Sequence, residues 1–252
     1  MRIPILYVGA PGVGKTASVL AKYDYCEVLL LSSQTEEDIS GIPYREGELE
    51  KRTIPPYIQR LIAAKGTKCL FLDEIDKARR EVADTLLTLI THPQKFGVPI
   101  GTDIIAAANP PEWGGGDGLS LPMMNRFSVV EFTPDFDRWK EYIHAKFGSI
   151  PFVVEITERI AKQELPFLEA NGEGLGWRMT SPRSIDNAIS VLLSQETDKD
   201  SLIKGLVTAN MASGLLSLYT KHFFVEGGDS EGQQFIIRSI GSSALRKTVL
   251  RK

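Results

Sequence analysis

Residues 9–16 read GAPGVGKT and follow directly on an apolar run that begins at Ile3. The octapeptide matches G-x-x-x-x-G-K-[ST], a pattern in which a glycine-rich turn joins a strand to a helix and surrounds phosphate groups. Gly9, Gly12 and Gly14 would let the backbone turn tightly, so that its N–H groups point inward at phosphate oxygens. The pattern therefore predicts a phosphate-binding loop; the alternative is a glycine turn that carries a surface lysine.

The side chains of this loop have predicted tasks. Lys15 would place positive charge on the outer phosphates of ATP, and the Thr16 hydroxyl could bind Mg²⁺. The helix that follows would direct its positive N-terminal end at the same anions. The residues predicted to bind the nucleotide are Gly9, Ala10, Pro11, Gly12, Val13, Gly14, Lys15, Thr16 and Ala17.

A second polar cluster ends another apolar run, in KCLFLDEID at residues 68–76. The carboxyl end of a parallel strand faces the ligand crevice. Asp73 would reach Mg²⁺ there through a water molecule, and Glu74 would activate or orient the water that attacks the γ-phosphate. The alternative is that these carboxylates cap a helix starting near Lys77, and for Asp76 capping is the preferred interpretation.

A third apolar run, in IIAAANP at residues 104–110, ends in the amide side chain of Asn109. An amide at this position can hold the attacking water and contact the γ-phosphate. The alternative is an ordinary Asn-Pro turn. We favour the functional interpretation because two other strands of the same predicted sheet also end in phosphate- or metal-binding residue types.

The alternation of strand-like and helix-like segments predicts the fold of the first half. Five apolar runs have strand length: Ile3–Val8, Cys26–Leu31, Cys69–Leu72, Ile104–Ala108 and Val129–Phe132. Such near-continuous runs are typical of parallel strands buried on both faces. The clearest helical pattern places Ala78, Val82, Leu86, Leu89 and Ile90 on one face. We therefore predict an α/β fold with a parallel sheet covered by helices.

Strand signals stop after about residue 134, which predicts an all-helical second subdomain. Segments 135–147 and 152–169 and a stretch from Leu202 to Phe224 look helical. Another helix has the best start signal of the chain, because Ser181 can cap it and Pro182 occupies its first position. We predict three regions: an α/β core at 1–134, a helical subdomain at 135–225, and a linker with a basic tail at 226–252.

Composition excludes several classes of protein. The 252 residues are 42% apolar and 24% charged, which is ordinary for a globular protein and not for a disordered one. We find no apolar run long enough for a membrane segment and no signal peptide. Two cysteines, Cys26 and Cys69, are expected to be buried free thiols in a reducing compartment, and neither metal ligands nor a disulfide, so we predict a cytoplasmic protein. With three scattered histidines a zinc site is not expected.

The charge of the chain is unevenly distributed. The net charge is −3, but segment 235–252 carries five basic residues and no acid. The acidic remainder argues against a broad nucleic-acid-binding face. The basic tail could contact nucleic acid or an acidic partner, although a solvated chain end is the preferred interpretation.

In combination these motifs resemble the AAA+ ATPase superfamily, and within it the MoxR-like branch. The resemblance covers about residues 3–195 and rests on GAPGVGKT, LFLDEID, AAANPPEWGG, LPMMNRF and TSPRS, in that order. It implies a P-loop sheet with strand order 5-1-4-3-2, helices on both faces and a helical lid. It also implies Mg²⁺-dependent ATP hydrolysis in a homo-oligomer, usually a hexameric ring.

The resemblance also assigns roles to two arginines. Arg126 in LPMMNRF aligns with the arginine finger, which would reach the ATP of the neighbouring subunit. Arg183 in TSPRS aligns with the second sensor, which would contact the γ-phosphate in its own subunit. The alternatives are an exposed arginine at a helix end and a favourable surface position in a first helical turn. Tyr44 and Arg45 lie where MoxR-like proteins carry an insertion near the pore, and a plain surface loop there is equally compatible.

The leading functional hypothesis is a MoxR-like ATPase that remodels or activates a partner protein. The family often works with a partner that contains a von Willebrand factor A domain, and this partner is implied by the resemblance alone. One alternative is a nucleic-acid motor or loader, which the basic tail permits and the acidic remainder disfavours. Others are a nucleotide-gated scaffold with little hydrolysis and, more weakly, a kinase.

Overall fold

The computed structural model describes residues 3–113, 119–171 and 178–224. The chain divides after Thr133 into two compact units, and each has its own apolar core. The first unit contains, in chain order, β1 (Ile5–Val8), α1 (Lys15–Leu20), β2 (Tyr25–Leu30), α2 (Glu36–Ser40), β3 (Pro43–Glu46), β4 (Leu49–Arg52), α3 (Pro56–Ala63), β5 (Lys68–Asp73), α4 (Arg80–Thr91), β6 (Asp103–Ala108), α5 (Leu121–Met124) and β7 (Ser128–Glu131).

The central feature of the first unit is a parallel five-stranded sheet in the order β2-β5-β6-β1-β7. If these five strands are numbered 1 to 5 in chain order, as β1, β2, β5, β6 and β7, the sheet reads 5-1-4-3-2 from the β7 edge. This order confirms the predicted fold class. The strands β5, β6 and β1 are neighbours, and the carboxyl ends of parallel strands meet at one edge of a sheet. The loops that follow these three strands therefore start side by side.

Helices cover both faces of this sheet. Successive strand residues point to opposite faces, and they enter two different apolar clusters. Leu70 and Leu72 belong to a large cluster with the helical residues Leu86 and Leu89, whereas Phe71 packs with Val19 of α1. The predicted apolar helix is α4, but it begins at Arg80, so Ala78 lies before it and only packs against the core.

The edge strands differ from the sequence-based expectation of strands buried on both faces. Residues of β7 are exposed throughout, with Val129 46% and Val130 40% exposed. Val28 and Leu30 on the other edge strand are exposed as well. An edge strand has one neighbour instead of two, and apolar composition alone does not distinguish it from a central strand.

The second unit contains α6 (Phe136–Phe147), α7 (Pro151–Ala161), β8 (Glu169–Asn171), β9 (Arg178–Thr180), α8 (Pro182–Leu192), α9 (Lys199–Leu206) and α10 (Ala209–Phe223). The start of α8 is as predicted: Ser181 is its N-cap and Pro182 its first residue. The Ser181 hydroxyl accepts a hydrogen bond from the Ser184 amide, and the Ser184 hydroxyl accepts one from the Ser181 amide. Ile185, Ile189 and Leu192 on this helix are fully buried in the core of the unit.

Two predictions for this unit are wrong. The subdomain is not all-helical, because α7 ends at Ala161 and Glu169 begins a short antiparallel pair with β9. The predicted last helix is two helices, since Val207 is extended with φ −133° and ψ 167°. The buried Thr208 next to it hydrogen-bonds through its hydroxyl to Thr180 of β9 at 2.8 Å. This hydrogen bond to a distant part of the chain stabilises the break between α9 and α10.

The linker and basic tail predicted at 226–252 lie outside the described residues. Across the ranges that the structure describes, none of the helices is long and apolar enough to span a membrane.

Candidate nucleotide-binding site

The predicted phosphate loop joins β1 to α1. Gly12 and Gly14 have φ angles of 76° and 99°, a left-handed conformation that only glycine adopts readily. Gly14 is also the N-cap of α1, so the helix begins at Lys15. The tight-turn explanation thus applies to these two glycines.

Gly9 needs to be glycine for a different reason, and its sequence-based explanation is corrected. Its φ is not positive, but a Cβ atom at this position would lie 2.2 Å from the carbonyl oxygen of Phe132, just after β7. Because that neighbour is a backbone atom, it cannot move aside cheaply. Gly9 therefore allows the start of the loop to pass close to the backbone of Phe132, in the segment that follows β7.

A Gly9→Ala variant should lower the free energy of unfolding by about 1–3 kcal/mol, because the added methyl group forces two backbone segments apart. The measurement is the midpoint of urea denaturation. Gly205→Ala is the matched control: nothing lies within 4 Å of a Cβ at that position in α9, so no stability should be lost. An unchanged midpoint for Gly9→Ala would contradict the close approach of Phe132.

Lys15 connects the phosphate loop to the third strand end. Its ammonium group donates hydrogen bonds to the carbonyl oxygens of Gly9 at 2.6 Å and Ala10 at 3.0 Å, and to Oδ1 of Asn109 at 2.8 Å. The residue is 8% exposed, which is rare for a lysine unless its charge is used. The predicted loop lysine and the predicted strand-end amide are thus in direct contact.

Thr16 and Asp73 form the second connection. The Thr16 hydroxyl donates a hydrogen bond to Oδ2 of Asp73 at 2.8 Å. A hydroxyl and a carboxylate oxygen this close together suit Mg²⁺, which is typically held by one or two carboxylates plus substrate phosphates. Within residues 3–113, 119–171 and 178–224, no three His, Cys, Asp or Glu side chains cluster to hold a metal. The hydroxyl of Thr16 and the carboxylate of Asp73 fit a magnesium ion that is shared with the phosphates of a nucleotide.

Glu74 follows Asp73 with an unusual backbone. Its φ of 54° and ψ of 43° are left-handed, which is uncommon for a residue other than glycine and is found preferentially at functional sites. The Glu74 amide donates to Oδ1 of Asp73 at 3.0 Å, and Lys77 donates to the Glu74 carboxylate at 3.2 Å. This turn ends β5 sharply and places two successive carboxylates at the edge of the sheet.

Asp76 is not the helix cap that the sequence suggested. It lies in a short 3₁₀ turn, Ile75–Lys77, and α4 begins only at Arg80 with Arg79 as N-cap. Asp76 is 9% exposed, and its Oδ1 accepts a hydrogen bond at 3.1 Å from the backbone N–H of Asn109. It holds the end of β6 against the end of β5. This positioning role is not evident from the sequence, because no local pattern shows that the two strands are neighbours.

The two arginines with assigned roles lie in different units of the chain. Arg126 donates to the hydroxyl of Thr91 at 2.9 Å and to the carbonyl of Pro122 at 2.6 Å, at the ends of α4 and α5. Arg183 is exposed in the first turn of α8, in the second unit. Neither geometry tests the predicted catalytic roles, which stay predictions.

The segment with Tyr44 and Arg45 is a β-hairpin. Strands β3 and β4 pair in antiparallel fashion, with Tyr44 opposite Lys51, and every residue of both strands is exposed. Thr53 and Arg52 tie its base to residues 40–42. The hairpin is therefore an ordered projection of the first unit.

Comparison with known proteins finds a family match for the first half of the chain. Residues 4–127 match the family AAA domain (dynein-related subfamily). Among solved structures, the chain is similar to the Thermotoga maritima RuvB Holliday junction branch migration motor, with 17% identity and a TM-score of 0.45. Two point variants of that protein show 18% identity with TM-scores of 0.45 and 0.43.

These alignments cover 90% of this chain and 64–65% of the RuvB chains, so the chain spans just under two thirds of their length. At this low identity the similarity concerns the fold alone. The family match, by contrast, contains GAPGVGKT, Asp73, Glu74 and Asn109, and AAA domains bind ATP and typically Mg²⁺. Residues 4–127 are therefore similar to the AAA domains of the dynein-related subfamily.

Proposed function

We propose that this chain is an ATPase that hydrolyses ATP to ADP and phosphate with Mg²⁺. The observation that carries the proposal is the junction of three strand ends. Lys15 of the phosphate loop contacts Asn109 after β6, while Thr16 contacts Asp73 of β5. Residues far apart in sequence thus meet where a phosphate chain and its metal ion would bind.

Each residue of this junction has a task in the proposed reaction. The Lys15 ammonium would bind the outer phosphates, and the loop amides with the N-terminus of α1 would hold the rest of the phosphate chain. Thr16 would bind Mg²⁺ directly and Asp73 through a water molecule; the ion would neutralise charge on the phosphates. Glu74 would accept a proton from the attacking water or orient it, and Asn109 would hold that water.

We further propose that two arginines complete the site. Arg126 would act on the ATP of a neighbouring subunit in a ring, usually hexameric, and Arg183 on the γ-phosphate in its own subunit. The support for both roles is the order of the motifs in the sequence. A MoxR-like role, in which the ring remodels a partner with a von Willebrand factor A domain, is the proposed biological context.

The first experiment is ATP turnover per subunit over a wide range of protein concentration, with Glu74→Gln as the blank. We expect the specific rate to climb steeply with concentration, because a site completed between subunits is built only on assembly. Rates indistinguishable from the blank at every concentration would contradict the proposed ATPase. A repeat with duplex and single-stranded DNA tests the alternative of a nucleic-acid motor, which predicts strong stimulation.

Mixing two inactive variants tests whether Arg126 acts between subunits. Arg126→Ala and Lys15→Ala should each lose turnover alone and partly recover it when mixed, because some interfaces then combine an intact Lys15 with an intact Arg126. Arg80→Ala, an exposed arginine on α4, is the control and should remain active alone. No recovery between variants that fold and assemble would contradict action in trans.

A further inference from the structure

The two cysteines are separate in sequence but adjacent in the fold. Cys26 on β2 is the direct register partner of Cys69 on the neighbouring parallel strand β5. Residues paired in this way share one face of the sheet. Cys69 is fully buried, Cys26 is only partly buried, and both are free thiols. The sequence predicts two buried thiols that form no disulfide, whereas in the tertiary structure they lie opposite each other and Cys26 is only partly buried.

The two sulfurs differ in their surroundings. A hydrogen bond from the Cys69 thiol lowers the pKa of Cys26, against the effect of partial burial. The same hydrogen bond, burial and the nearby Asp103 carboxylate raise the pKa of Cys69. Cys26 is therefore the sulfur that a peroxide can reach, and Cys69 is its buried neighbour.

The geometry of the strands permits a bond between them. Neighbouring strands lie about 4.7–4.9 Å apart, within the Cα separation of about 4.4–6.8 Å that disulfides span. The Cβ atoms of a disulfide are closer, at about 3.8 Å, so the strands must approach locally when the bond forms. A disulfide that needs such an adjustment is easily reduced, which is the property of reversible disulfides and not of permanent structural ones.

We propose that Cys26 and Cys69 are a modification site, at which a peroxide oxidises the pair to a reversible disulfide. The Cys26 thiolate attacks a peroxide oxygen: an S–O bond forms, the O–O bond breaks, and the departing hydroxide takes up a proton to become water. Cys69 then attacks the sulfenic acid sulfur: the S–S bond forms, the S–O bond breaks, and the hydroxide leaves as water with the Cys69 proton. The two thiols are oxidised and the peroxide is reduced.

The location connects this site to the strand that bears Asp73. Cys69 and Asp73 lie on the same strand, β5, and β2 pairs with it along its whole length. The disulfide would therefore form within the sheet that presents the candidate nucleotide site. The proposal itself does not depend on ATP hydrolysis, and it is tested without it.

The test treats the full chain with hydrogen peroxide at neutral pH, blocks remaining thiols under denaturing conditions and maps the peptides by mass spectrometry. Because the chain has two cysteines in all, one cross-linked peptide pair is possible within a chain. We expect a Cys26–Cys69 cross-link that dithiothreitol removes. The proposal would be overturned if both thiols still reacted fully with the blocking reagent after peroxide treatment, or if cross-links formed only between chains.

Two variants assign the separate roles of the cysteines. Cys69→Ala should leave Cys26 as a sulfenic acid that a dimedone probe captures. Cys26→Ala should leave Cys69 unmodified at the same peroxide concentration, because that thiol is fully buried. Capture of Cys69 instead of Cys26 in folded variants would overturn the assignment of the nucleophile.

Discussion

Glu74→Gln should bind ATP with the affinity of the original chain and lose its turnover by at least about 100-fold. Positioned proton transfer by a side chain contributes about 10²–10⁴-fold to enzyme rates. The glutamine amide has the shape of the carboxylate and can still accept the hydrogen bond from Lys77, but it cannot take a proton from water. The measurements are ATP binding by titration calorimetry and phosphate release at saturating ATP with Mg²⁺.

A neighbouring acid provides the control for this prediction. Glu81 is exposed in the first turn of α4, so Glu81→Gln changes the net charge equally and should leave turnover unchanged. The melting temperatures of the two variants establish whether both are folded. Near-normal turnover in a folded Glu74→Gln variant would remove Glu74 from the mechanism, while loss of ATP binding would assign it to the nucleotide contacts instead.

Lys15→Ala should weaken ATP binding by about 10- to 100-fold, the second largest effect that we expect. A hydrogen bond to a charged group contributes about 1.5–3 kcal/mol, and 1.4 kcal/mol corresponds to a tenfold change in affinity. The substitution also removes the donor shared by Gly9, Ala10 and Asn109. Equilibrium binding of ATP, with and without Mg²⁺, measures the effect.

Two further variants separate the charge of Lys15 from its contacts. Lys22→Ala removes an exposed lysine just after α1 and should leave ATP affinity unchanged. Asn109→Ala keeps the ammonium but removes one of its partners, so ATP binding should fall less than in Lys15→Ala. Unchanged ATP affinity in folded Lys15→Ala protein would contradict the assignment of GAPGVGKT as the phosphate loop.

Features that depend on nearby residues could be read from the sequence. The phosphate loop and the start of α8 at Ser181 and Pro182 involve residues within a few positions of each other, and local geometry determines both. The five parallel strands were recognisable as apolar runs of the right length. Their order in the sheet came from the resemblance to the AAA+ superfamily, since no pattern of spacing contains it.

Features that depend on distant neighbours were decided by the tertiary structure alone. The sequence suggested that Asp76 is a helix cap, but the order of the strands brings its carboxylate within hydrogen-bond distance of the backbone N–H of Asn109. Gly9 looked like a turn residue, but the Phe132 carbonyl is what excludes a side chain there. The last predicted helix is interrupted at Val207, and the next residue, Thr208, hydrogen-bonds to Thr180.

The pairing of Cys26 with Cys69 was likewise decided by the tertiary structure alone. Nothing in the surroundings of Cys26 or Cys69 along the chain relates one to the other, and only the register between β2 and β5 sets them opposite each other. The sequence by itself thus determined the five strands of the parallel sheet, the start of α8 and the phosphate loop, because those features depend on residues a few positions apart. Which side chains meet was decided by packing of whole elements, because such contacts join parts of the chain that only the assembled sheet brings together.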